Sequence, residues 1–373
     1  MARKALIALT YYSPYLSGLT EYARLQAEGM AGRGWECTVL AYRHDDVLPR
    51  EESVGGVRVV RANVALRAHK GVFSIDYLRR YRQLIRGVEV AHLHLPMLEA
   101  GWLARRTDTP VKLTGTYHCD IVAGAHGGWV DGLAVQVVRQ SASAAMARMD
   151  KIMVTSLDYA AGSEVLRPYV EKCVEVHAPD KAPEGMAPRL DARVRTRVGF
   201  LGRFVEEKGI DYLLEAMKRV LKKRPDARLV LGGEAKSVAG GSQMERLREG
   251  LAALGDAVEV LGKVPEEGLF DFYRSLDVFV LPSVNSYEAF GMVQVEAMKS
   301  GVPVVASDMR GVRVPVRECG VGRLVAPRDE AGLAAAILEM LENPGASAQE
   351  IAHRAWARFP STSFLDKTEA VWT

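Results

Sequence analysis

Two cations lie in a glycine-containing turn of the carboxyl-terminal half, where they could bind a phosphorylated ligand. Arg203 and Lys208 stand between the apolar run 197–201 and a helical pattern that begins near residue 210. Backbone N–H groups and the positive end of a helix attract anions at a strand-to-helix turn, and two full charges suit a diphosphate. Taken alone, these residues fit an anion site and a solvated turn with incidental cations equally well.

A pair of glutamates eight residues apart forms the second candidate site. Glu288 and Glu296 follow the apolar run 278–281, and Gly291 between them is expected to open a helix. Eight helical residues span about 12 Å, so the two carboxylates cannot meet on one atom but could bind the two ends of an elongated ligand such as a sugar nucleotide. The backbone N–H groups available to its diphosphate are those of Phe290, Gly291 and Met292. Glutamates are usually solvated, but Glu296 falls in the otherwise apolar run 292–298, where a solvated carboxylate is not expected.

Ser17 and Gly18 form a candidate phosphate contact in the amino-terminal half. They stand between a predicted strand, residues 5–9, and a helix that the sequence places from about Thr20. A serine and a glycine at this point would let a ligand phosphate approach the backbone closely. A single glycine loop is a weak signal, and an ordinary loop fits the same residues.

His118 and Asp120 follow another predicted strand, residues 111–114, at the end where open parallel sheets bind their ligands. Both could contact a substrate there, and Asp120 could orient the imidazole of His118. A histidine that is merely hydrogen-bonded in a loop fits these residues as well. His92 and His94 alternate on one strand and so share a face, but no third ligand with metal-site spacing accompanies them, and we expect no metal there.

Length and composition predict about two globular domains from 373 residues, of which 48% are hydrophobic and 25% charged. The 49 basic and 46 acidic side chains leave a net charge of +3, so we expect no nucleic-acid partner. Four widely separated cysteines without a CxxC pair indicate neither a disulfide framework nor a zinc site. No apolar run is long enough for a signal peptide or a membrane span. We therefore expect a cytoplasmic protein, soluble or at most peripherally attached to a membrane.

Short apolar runs alternate with helical patterns in both halves, which is typical of βαβ units and parallel sheets. The predicted strands are 5–9, 37–40, 57–60, 88–95, 111–114, 152–154 and 173–176 in the first half, and 197–201, 227–231, 258–261, 278–281, 302–306 and 322–325 in the second. A proline-containing linker, 181–196, is predicted to join a first domain, 1–180, to a second, 197–373. About the last 15 residues are expected to pack back on the first domain.

Several of these segments together resemble one enzyme family. GRFVEEKGIDYLLEA and VFVLPSVNSYEAFGMVQVEAMKSGVPVVAS, the latter with its Glu-x7-Glu spacing, are similar to the motifs of the GT-B retaining glycosyltransferases of family GT4. SPYLSGLTEYARLQAEGMAGRGWECTVL and TYHCD extend the resemblance to nearly the whole chain. It implies an α/β fold of the GT-B type, in which two Rossmann-like, doubly wound parallel-sheet domains face a central cleft. The second domain would bind a nucleotide sugar and the first would receive the acceptor.

The resemblance also implies roles for residues of the second half. Arg203 and Lys208 would bind the donor diphosphate and stabilise it as it departs. Glu296 would bind the ribose hydroxyls, and Glu288 would bind the transferred sugar. The residues that assist Glu288 would be Phe290, Gly291 and Met292.

In the first half, the resemblance implies that Ser17 and Gly18 approach the diphosphate and that His118 contacts the sugar near the reacting carbon, with Asp120 among the donor contacts. The implied catalytic set is His118, Arg203, Lys208 and Glu288. Family members typically need no metal ion, in agreement with the lack of any Asp-x-Asp in the sequence, and no cofactor is expected. Two segments, 232–234 and 309–312, depart from the family's glycine-rich patterns and put the contacts to the base and to the acceptor in doubt.

A basic segment, 58–86, holds eight Lys or Arg residues against the single acid Asp76. Part of it is amphipathic, because apolar residues recur at helical spacing. These residues are Ile75, Leu78, Tyr81 and Ile85. A basic amphipathic helix can lie on an anionic membrane and receive a lipid-linked acceptor, but the apolar stripe could equally pack on the sheet and leave the cations solvated. The cations of the predicted membrane or acceptor patch are Arg67, Lys70, Arg79, Arg80, Arg82 and Arg86.

The sequence therefore predicts a retaining hexosyltransferase that uses a UDP- or GDP-sugar and acts on a glycan, a lipid-linked glycan or a glycolipid. The predicted location is the cytoplasm, including the inner face of the cytoplasmic membrane. Two alternatives stay open: a sugar-nucleotide epimerase of the same fold, and a nucleotide-sugar-binding protein that has lost turnover.

Overall fold

Two α/β units make up the part of the chain that the structure describes. The computed structural model describes residues 2–15, 17–68, 71–107, 110–122, 129–177, 182, 196–234 and 243–373. The first unit combines Met1–Pro179 with Thr362–Thr373, and the second is Asp180–Ser361. None of the described helices combines the length and the apolar composition needed to cross a bilayer.

The first unit alternates strands and helices for most of its length. Its strands are β1 (Lys4–Ala8), β2 (Glu36–Tyr42), β3 (Glu51–Val54), β4 (Val57–Ala62), β5 (Leu66–Ala68), β6 (Gly71–Phe73), β7 (Val90–Leu95), β8 (Lys112–Tyr117), β9 (Lys151–Val154) and β10 (Cys173–Glu175). Its helices are α1 (Gly18–Gly32), α2 (Ile75–Leu84), α3 (Ala100–Arg105), α4 (Trp129–Arg148), α5 (Leu157–Gly162) and, from the end of the chain, α13 (Ser363–Trp372).

Eight of these strands form one sheet in the order β10-β9-β8-β7-β1-β2-β4-β3. Only β3 runs antiparallel to its neighbour. Every residue of β7 is buried, as expected for a parallel strand covered on both faces. The strand order reverses between β1 and β7, so the loops after these strands lie at the position where such sheets bind ligands.

The second unit is a smaller parallel sheet covered by helices. Its strands are β11 (Arg197–Leu201), β12 (Arg228–Gly232), β13 (Val258–Gly262), β14 (Val278–Leu281), β15 (Val304–Ser307) and β16 (Arg323–Val325). Its helices are α6 (Ile210–Lys223), α7 (Met244–Leu254), α8 (Leu269–Arg274), α9 (Met292–Lys299), α10 (Val314–Cys319), α11 (Glu330–Glu342) and α12 (Ala348–Arg358). The sheet order β13-β12-β11-β14-β15-β16 reverses between β11 and β14.

Every predicted strand overlaps an observed one, because a buried parallel strand needs a continuous apolar run that is easy to see in the sequence. The prediction missed β3 and the antiparallel hairpin of β5 and β6. Strand β3 reads Glu-Glu-Ser-Val and is mostly exposed. It exists because the turn at Gly55 and Gly56, both at positive φ, folds it back on β4 as an edge strand.

The end of the chain packs in the first unit. Trp372 of α13 is buried, and its ring meets that of Trp35 at 5.2 Å in an edge-on contact. Its indole N–H donates to Nδ1 of His92 on β7 at 3.1 Å. Phe364, at the other end of α13, packs edge-on against Tyr22 of α1 at 5.0 Å. The last helix is thus held by aromatic packing and by one buried hydrogen bond.

Candidate active site

The turns that follow β11 and β14 pack directly against each other in the second unit. The amide of Val284 donates to the carbonyl of Glu207 at 3.0 Å. Gly209 lies at φ +63°, and a Cβ on it would come within 2.1 Å of the carbonyl oxygen of Pro282. Only glycine has both the conformational freedom and the small size that this approach requires. The two candidate sites of this half are therefore one site.

An ion pair between the ammonium of Lys208 and the carboxylate of Glu288 joins the two turns. The hydroxyl of Ser283 lies 3.4 Å from the same carboxylate oxygen. The side chains of Lys208 and Glu288 are only 16% and 12% exposed, so each charge is largely withdrawn from water and is compensated by the other. Two residues that the sequence assigned to different parts of a ligand are thus in contact with each other.

Arg203 adds a second cation to the turn after β11. Its guanidinium lies 3.3 Å from a carboxylate oxygen of Glu207, and its side chain is 34% exposed, so part of its charge meets solvent. The turn after β12 supports it, since the amide of Phe204 donates to the carbonyl of Glu234 at 3.0 Å. A Cβ on Gly233 would lie 1.9 Å from the carbonyl oxygen of residue 202, so this departure from the family pattern keeps a glycine where the backbones are closest.

Helix α9 begins where the sequence predicted. Gly291 is its N-cap at φ +79°, and a Cβ there would lie 2.4 Å from the side chain of Leu281. The side-chain amide Nε2 of Gln294 donates to the backbone carbonyls of Phe290 and Val312, each at 2.9 Å, and so anchors the first turn. Glu288 lies in a non-helical turn four residues before the first helical residue of α9, so the helical spacing applied to the two glutamates does not hold over residues 288–291.

Glu296 lies in the second turn of α9 and is only 7% exposed. Its carboxylate accepts a hydrogen bond of 2.7 Å from the hydroxyl of Tyr273, a buried residue of α8. The prediction that this glutamate is not an ordinary solvated residue is confirmed. A carboxylate in such a place is oriented by its donor and keeps a high affinity for further hydrogen-bond donors.

Ser17 and Gly18 open helix α1 in the first unit. The Ser17 hydroxyl accepts from the amide of Thr20 at 3.2 Å, and the Thr20 hydroxyl oxygen accepts from the amide of Ser17 at 2.9 Å. This reciprocal cap makes the helix begin at Gly18, two residues before the predicted start. Among the described residues, apart from its chain neighbours and the backbone of its own helix, nothing lies within 4 Å of the point where a Cβ on Gly18 would stand.

The expected contact between Asp120 and His118 is wrong. The Asp120 carboxylate accepts from the hydroxyls of Tyr117 at 2.8 Å and Ser163 at 2.6 Å, and these two donors hold it in the loop after β8. His118 instead places Nε2 at 2.8 Å from Nδ1 of His94.

His92 is part of a buried hydrogen-bond network. Its two ring nitrogens lie 2.8 Å from the hydroxyls of Thr114 and Thr116 on β8. Burial lowers the pKa of His92 to about 3 and that of His118 to about 3, and it lowers the pKa of His94 as well, so all three rings are neutral. Within the described ranges, no three His, Cys, Asp or Glu side chains are grouped so that they could hold a metal ion.

Comparison with known proteins places the chain in a family. A model described as "Glycosyl transferase 4-like domain" matches residues 17–167, and one described as "Glycosyl transferases group 1" matches residues 195–343. A phosphatidyl-myo-inositol mannosyltransferase of Mycobacterium leprae is 30% identical over 340 residues, which cover 87% of this chain and 84% of that protein. The chain belongs to the group 1 glycosyltransferases of family GT4. The predicted family and enzyme class are confirmed.

Solved structures agree on the fold of this glycosyltransferase. A sucrose-phosphate synthase from Thermosynechococcus elongatus has a TM-score of 0.78 at 21% identity, with 99% of this chain and 98% of that one covered. A glycosyltransferase from Rickettsia africae has a TM-score of 0.74 at 15% identity, covering 100% and 98%. The predicted GT-B fold class, with two parallel-sheet α/β domains, is therefore confirmed.

Helix α2 of this glycosyltransferase packs on the first sheet through a face that the sequence located only in part. Tyr77 and Tyr81 are fully buried, and the Tyr77 hydroxyl lies 3.1 Å from two strand-end carbonyls. Tyr81 belongs to the predicted apolar stripe, but Tyr77 does not. Ile75, placed in that stripe, is instead 59% exposed, while Leu78 and Ile85 are partly buried. Two tyrosines can fill the inner face because both buried hydroxyls find partners, that of Tyr77 at the sheet and that of Tyr81 at Thr107, just after α3, at 2.6 Å.

The cations of the basic segment differ in their surroundings. Arg80 lies 3.2 Å from the Asp76 carboxylate and contributes little free charge. Lys70 lies outside the described residues, and the side chain of Arg67 is likewise not among those described. The exposed cations of α2 and of the turn after it are Arg79, Arg82 and Arg86.

Four residues of the two sites were missed by sequence reasoning. Tyr273 and Ser283 hydrogen-bond to the paired glutamates, Glu207 pairs with Arg203, and His94 contacts His118. The sequence offered a signal only for His94, whose shared face with His92 was noted. Tyr273 lies in a short helix between two strands, and nothing in its spacing points to a carboxylate 23 residues further along the chain.

Proposed function

We propose that this glycosyltransferase moves a hexosyl group from a nucleotide diphosphate sugar, UDP- or GDP-linked, to an acceptor hydroxyl with retention of the anomeric configuration. The observation that carries the proposal is the contact of Lys208 with Glu288 beside Arg203, at the reversal point of the second sheet. Open α/β sheets bind nucleotides at this point. Two cations next to a helix-opening glycine suit a diphosphate, and the glutamate next to them suits a sugar hydroxyl.

The ion pair between Lys208 and Glu288 could couple binding of the donor diphosphate to recognition of the transferred sugar. A diphosphate carries more negative charge than one carboxylate, so a bound donor would compete with Glu288 for the ammonium of Lys208. Glu288 would then be released to accept hydrogen bonds from the hydroxyls of the transferred sugar. Phe290, Gly291 and Met292, at the start of α9, would offer backbone N–H groups to the same ligand.

Glu296 would bind the ribose hydroxyls of the donor. It is supported by Tyr273, whose hydroxyl fixes one carboxylate oxygen at 2.7 Å. A buried, oriented carboxylate suits a vicinal diol, because it can accept from two hydroxyls at once. Anabaena HepE, which shares the fold with a TM-score of 0.72, has been solved in complex with UDP and in complex with UDP-glucose, which favours a donor of this class.

The predicted site residues of the first unit would contact the donor. We propose that His118 contacts the transferred sugar near its reacting carbon, that Ser17 and Gly18 approach the diphosphate, and that Asp120 belongs to the donor surroundings. In the transfer, the acceptor oxygen bonds to the anomeric carbon on the face from which the diphosphate leaves. The acceptor proton passes to an oxygen of that diphosphate, so no group on the protein has to carry it.

No metal ion and no cofactor are needed in this proposal. Lys208 and Arg203 provide positive charge where negative charge develops on the departing diphosphate, which is the part that a divalent cation plays in other transferases. Transfer that continues undiminished in excess chelator supports this part of the proposal, and transfer that stops until Mg²⁺ or Mn²⁺ is added refutes it.

A lipid-linked glycan or glycolipid is the acceptor class that we propose. The name of the Mycobacterium leprae relative gives phosphatidyl-myo-inositol as its acceptor. The exposed Ile75 beside the exposed Arg79 and Arg82 on α2 is the combination that binds an anionic bilayer from the cytoplasmic side. The test is sedimentation with vesicles of anionic or neutral phospholipid. Arg79→Glu combined with Arg82→Glu should abolish binding to the anionic vesicles.

The donor is tested by thermal shift and by hydrolysis with UDP-, GDP- and ADP-sugars. One nucleotide family should stabilise the protein and be turned over. Lys208→Ala should lower turnover by at least a hundredfold, and Glu296→Ala should mainly weaken donor binding. Lys218→Ala is a matched control, because Lys218 also pairs with a glutamate, at 2.6 Å, but on the exposed face of α6.

The same screen separates the two other functions. A sugar-nucleotide epimerase would convert the donor without acceptor and leave the sugar attached to the nucleotide. A binding protein that lacks turnover would be stabilised by a donor but would release no nucleotide under any condition. Wild-type turnover in both Lys208→Ala and Glu296→Ala would remove the site assignment.

A further inference from the structure

The rings of His94 and His118 are joined edge to edge in the first unit. Nδ1 of His94 and Nε2 of His118 lie 2.8 Å apart, and the two ring planes are within 18° of each other. His94 lies on β7 opposite Thr116 of β8, and His118 follows β8, so the two side chains share a face of the sheet and meet diagonally. A nitrogen-to-nitrogen distance of 2.8 Å is that of a hydrogen bond, so one proton lies between the two rings.

The other ring nitrogen of His94, Nε2, indicates which of the two rings is the donor in this hydrogen bond. Nε2 of His94 is buried and has no hydrogen-bond partner in the part of the chain that the structure describes. If His118 were the donor, the single proton of neutral His94 would sit on this nitrogen, and a buried N–H would have no acceptor. Such an orphaned donor is rarer in proteins, and more costly, than an acceptor nitrogen without a donor.

One aromatic ring contacts both histidines. The ring of Tyr22 stands edge-on to His94 at 6.1 Å and to His118 at 5.1 Å, and Phe364 covers Tyr22 from the other side at 5.0 Å. Aromatic carbon therefore covers this side of the pair, and His94 is fully buried. The Tyr22 hydroxyl points to the carbonyl of Val176 at 3.5 Å.

We propose that His94 donates from Nδ1 to Nε2 of His118 and thereby holds His118 in the tautomer that carries its proton on Nδ1. His118 is only partly buried, and its side chain makes no other hydrogen bond within the described residues. Its Nδ1–H is then the group that it offers to a ligand: a neutral donor, suited to a hydroxyl or carbonyl oxygen of a sugar. His94 is a positioning residue, and only its consequence for the sugar rests on the proposed function.

The tautomer is read directly by nitrogen NMR on the full chain with nitrogen-15 labelled histidine, with the His118 signals assigned from the His118→Gln variant. The expected result is a protonated Nδ1 and a bare Nε2 on His118. His94→Asn keeps a side-chain N–H donor at the place of Nδ1 and should preserve this pattern, whereas His94→Leu removes the donor and should shift His118 towards the Nε2–H form. A protonated Nε2 on His118 in the unaltered protein overturns the inference, even where His94→Leu fails to fold.

A matched control distinguishes a specific effect of His94 on His118 from general damage to the buried histidine network. Thr114→Val removes a hydroxyl 2.8 Å from His92, on the same face of the sheet, without touching His118. It should leave the His118 signals where they are. A change in them as large as that of His94→Leu would mean that any loss in this network moves His118, and it would refute a specific role for His94.

Turnover of the donor then tests the consequence. His94→Leu should lower kcat/KM about tenfold, the effect of losing one well-placed hydrogen bond, and His94→Asn should restore it to within about threefold of the unaltered enzyme. Equal losses in the two variants would refute the positioning role. If His118→Gln keeps full turnover while the NMR pattern is as expected, the tautomer stands and the proposed sugar contact of His118 falls.

Discussion

Gly209→Ala is the substitution that most directly tests how the two turns of the second unit form one site. Gly209 has φ +63° and ψ +31°, and a Cβ on it would lie 2.1 Å from the carbonyl oxygen of Pro282. A carbon-to-oxygen contact is normally no shorter than about 3.3 Å, so the backbone at 282 has to retreat by about 1.2 Å. That movement displaces Ser283 and carries the turn of Glu288 away from Lys208.

Gly320 provides a control with the same backbone conformation. Its φ and ψ are +63° and +27°, but the nearest atom to a Cβ there is a guanidinium nitrogen of Arg354 at 3.5 Å, an ordinary contact. Gly320→Ala therefore costs only the left-handed conformation, about 1 to 2 kcal/mol. Gly209→Ala costs the same amount plus about 1 to 3 kcal/mol for the forced backbone shift.

Thermal unfolding measures the loss of stability in each variant, and donor kinetics measure whether the pair of Lys208 and Glu288 has moved. At about 2 to 4 °C per kcal/mol for a unit of this size, Gly320→Ala should lower Tm by about 5 °C and Gly209→Ala by about twice as much. Donor KM should rise only in Gly209→Ala, because only that change moves the charged pair. Equal Tm losses in the two variants, or an unchanged donor KM in Gly209→Ala, would refute the reasoning.

Three further predictions concern the polar groups that the fold has buried. Tyr273→Phe should raise donor KM about tenfold with little change in kcat, because Glu296 loses a charge-assisted hydrogen bond; an unchanged KM in a donor titration contradicts this. Stability should be level above pH 6.5 and fall as the pH drops towards 3, since the pKa of His92 is lowered from 6.5 to about 3 by burial and only the unfolded chain takes up the proton. The slope from this group is up to about 1.4 kcal/mol per pH unit, and urea unfolding from pH 7 to pH 5 should show a shallower slope in His92→Gln. Trp372→Phe should cost about 1 to 3 kcal/mol through a lost hydrogen bond and a cavity, whereas Trp102→Phe, at a partly exposed ring, should cost less than about 1 kcal/mol in the same measurement.

The sequence predicted the sheets well because buried parallel strands have a strong and local signature. The runs 197–201 and 278–281 were located with their observed bounds, and the helical pattern predicted to begin near residue 210 corresponds to α6. Gly291 was recognised as a helix start because a glycine between a polar turn and an apolar helical run is typical of an N-cap. Each of these features is determined by residues that are close together in the chain.

What the sequence could not predict are contacts between residues distant in the chain. Lys208 and Glu288 are 80 residues apart, and His94 and His118 are 24 apart. Their meeting depends on strand order and register, which no local pattern specifies. Asp120 shows the reverse error: it lies two residues from His118 and looks like its partner, yet Tyr117 and Ser163 hold it elsewhere.

Each unit places polar side chains near the end of a strand, and in each unit these side chains compensate one another. In the second unit, an ammonium and a carboxylate, both less than one-fifth exposed, neutralise each other. In the first unit, two neutral imidazoles are joined by one N–H···N hydrogen bond and so bury no charge. The first arrangement can respond to the charge of a ligand, whereas the second can only present a fixed donor. This difference supports the proposal that a diphosphate binds at the turns after β11 and β14 and that His118 donates to an uncharged sugar oxygen.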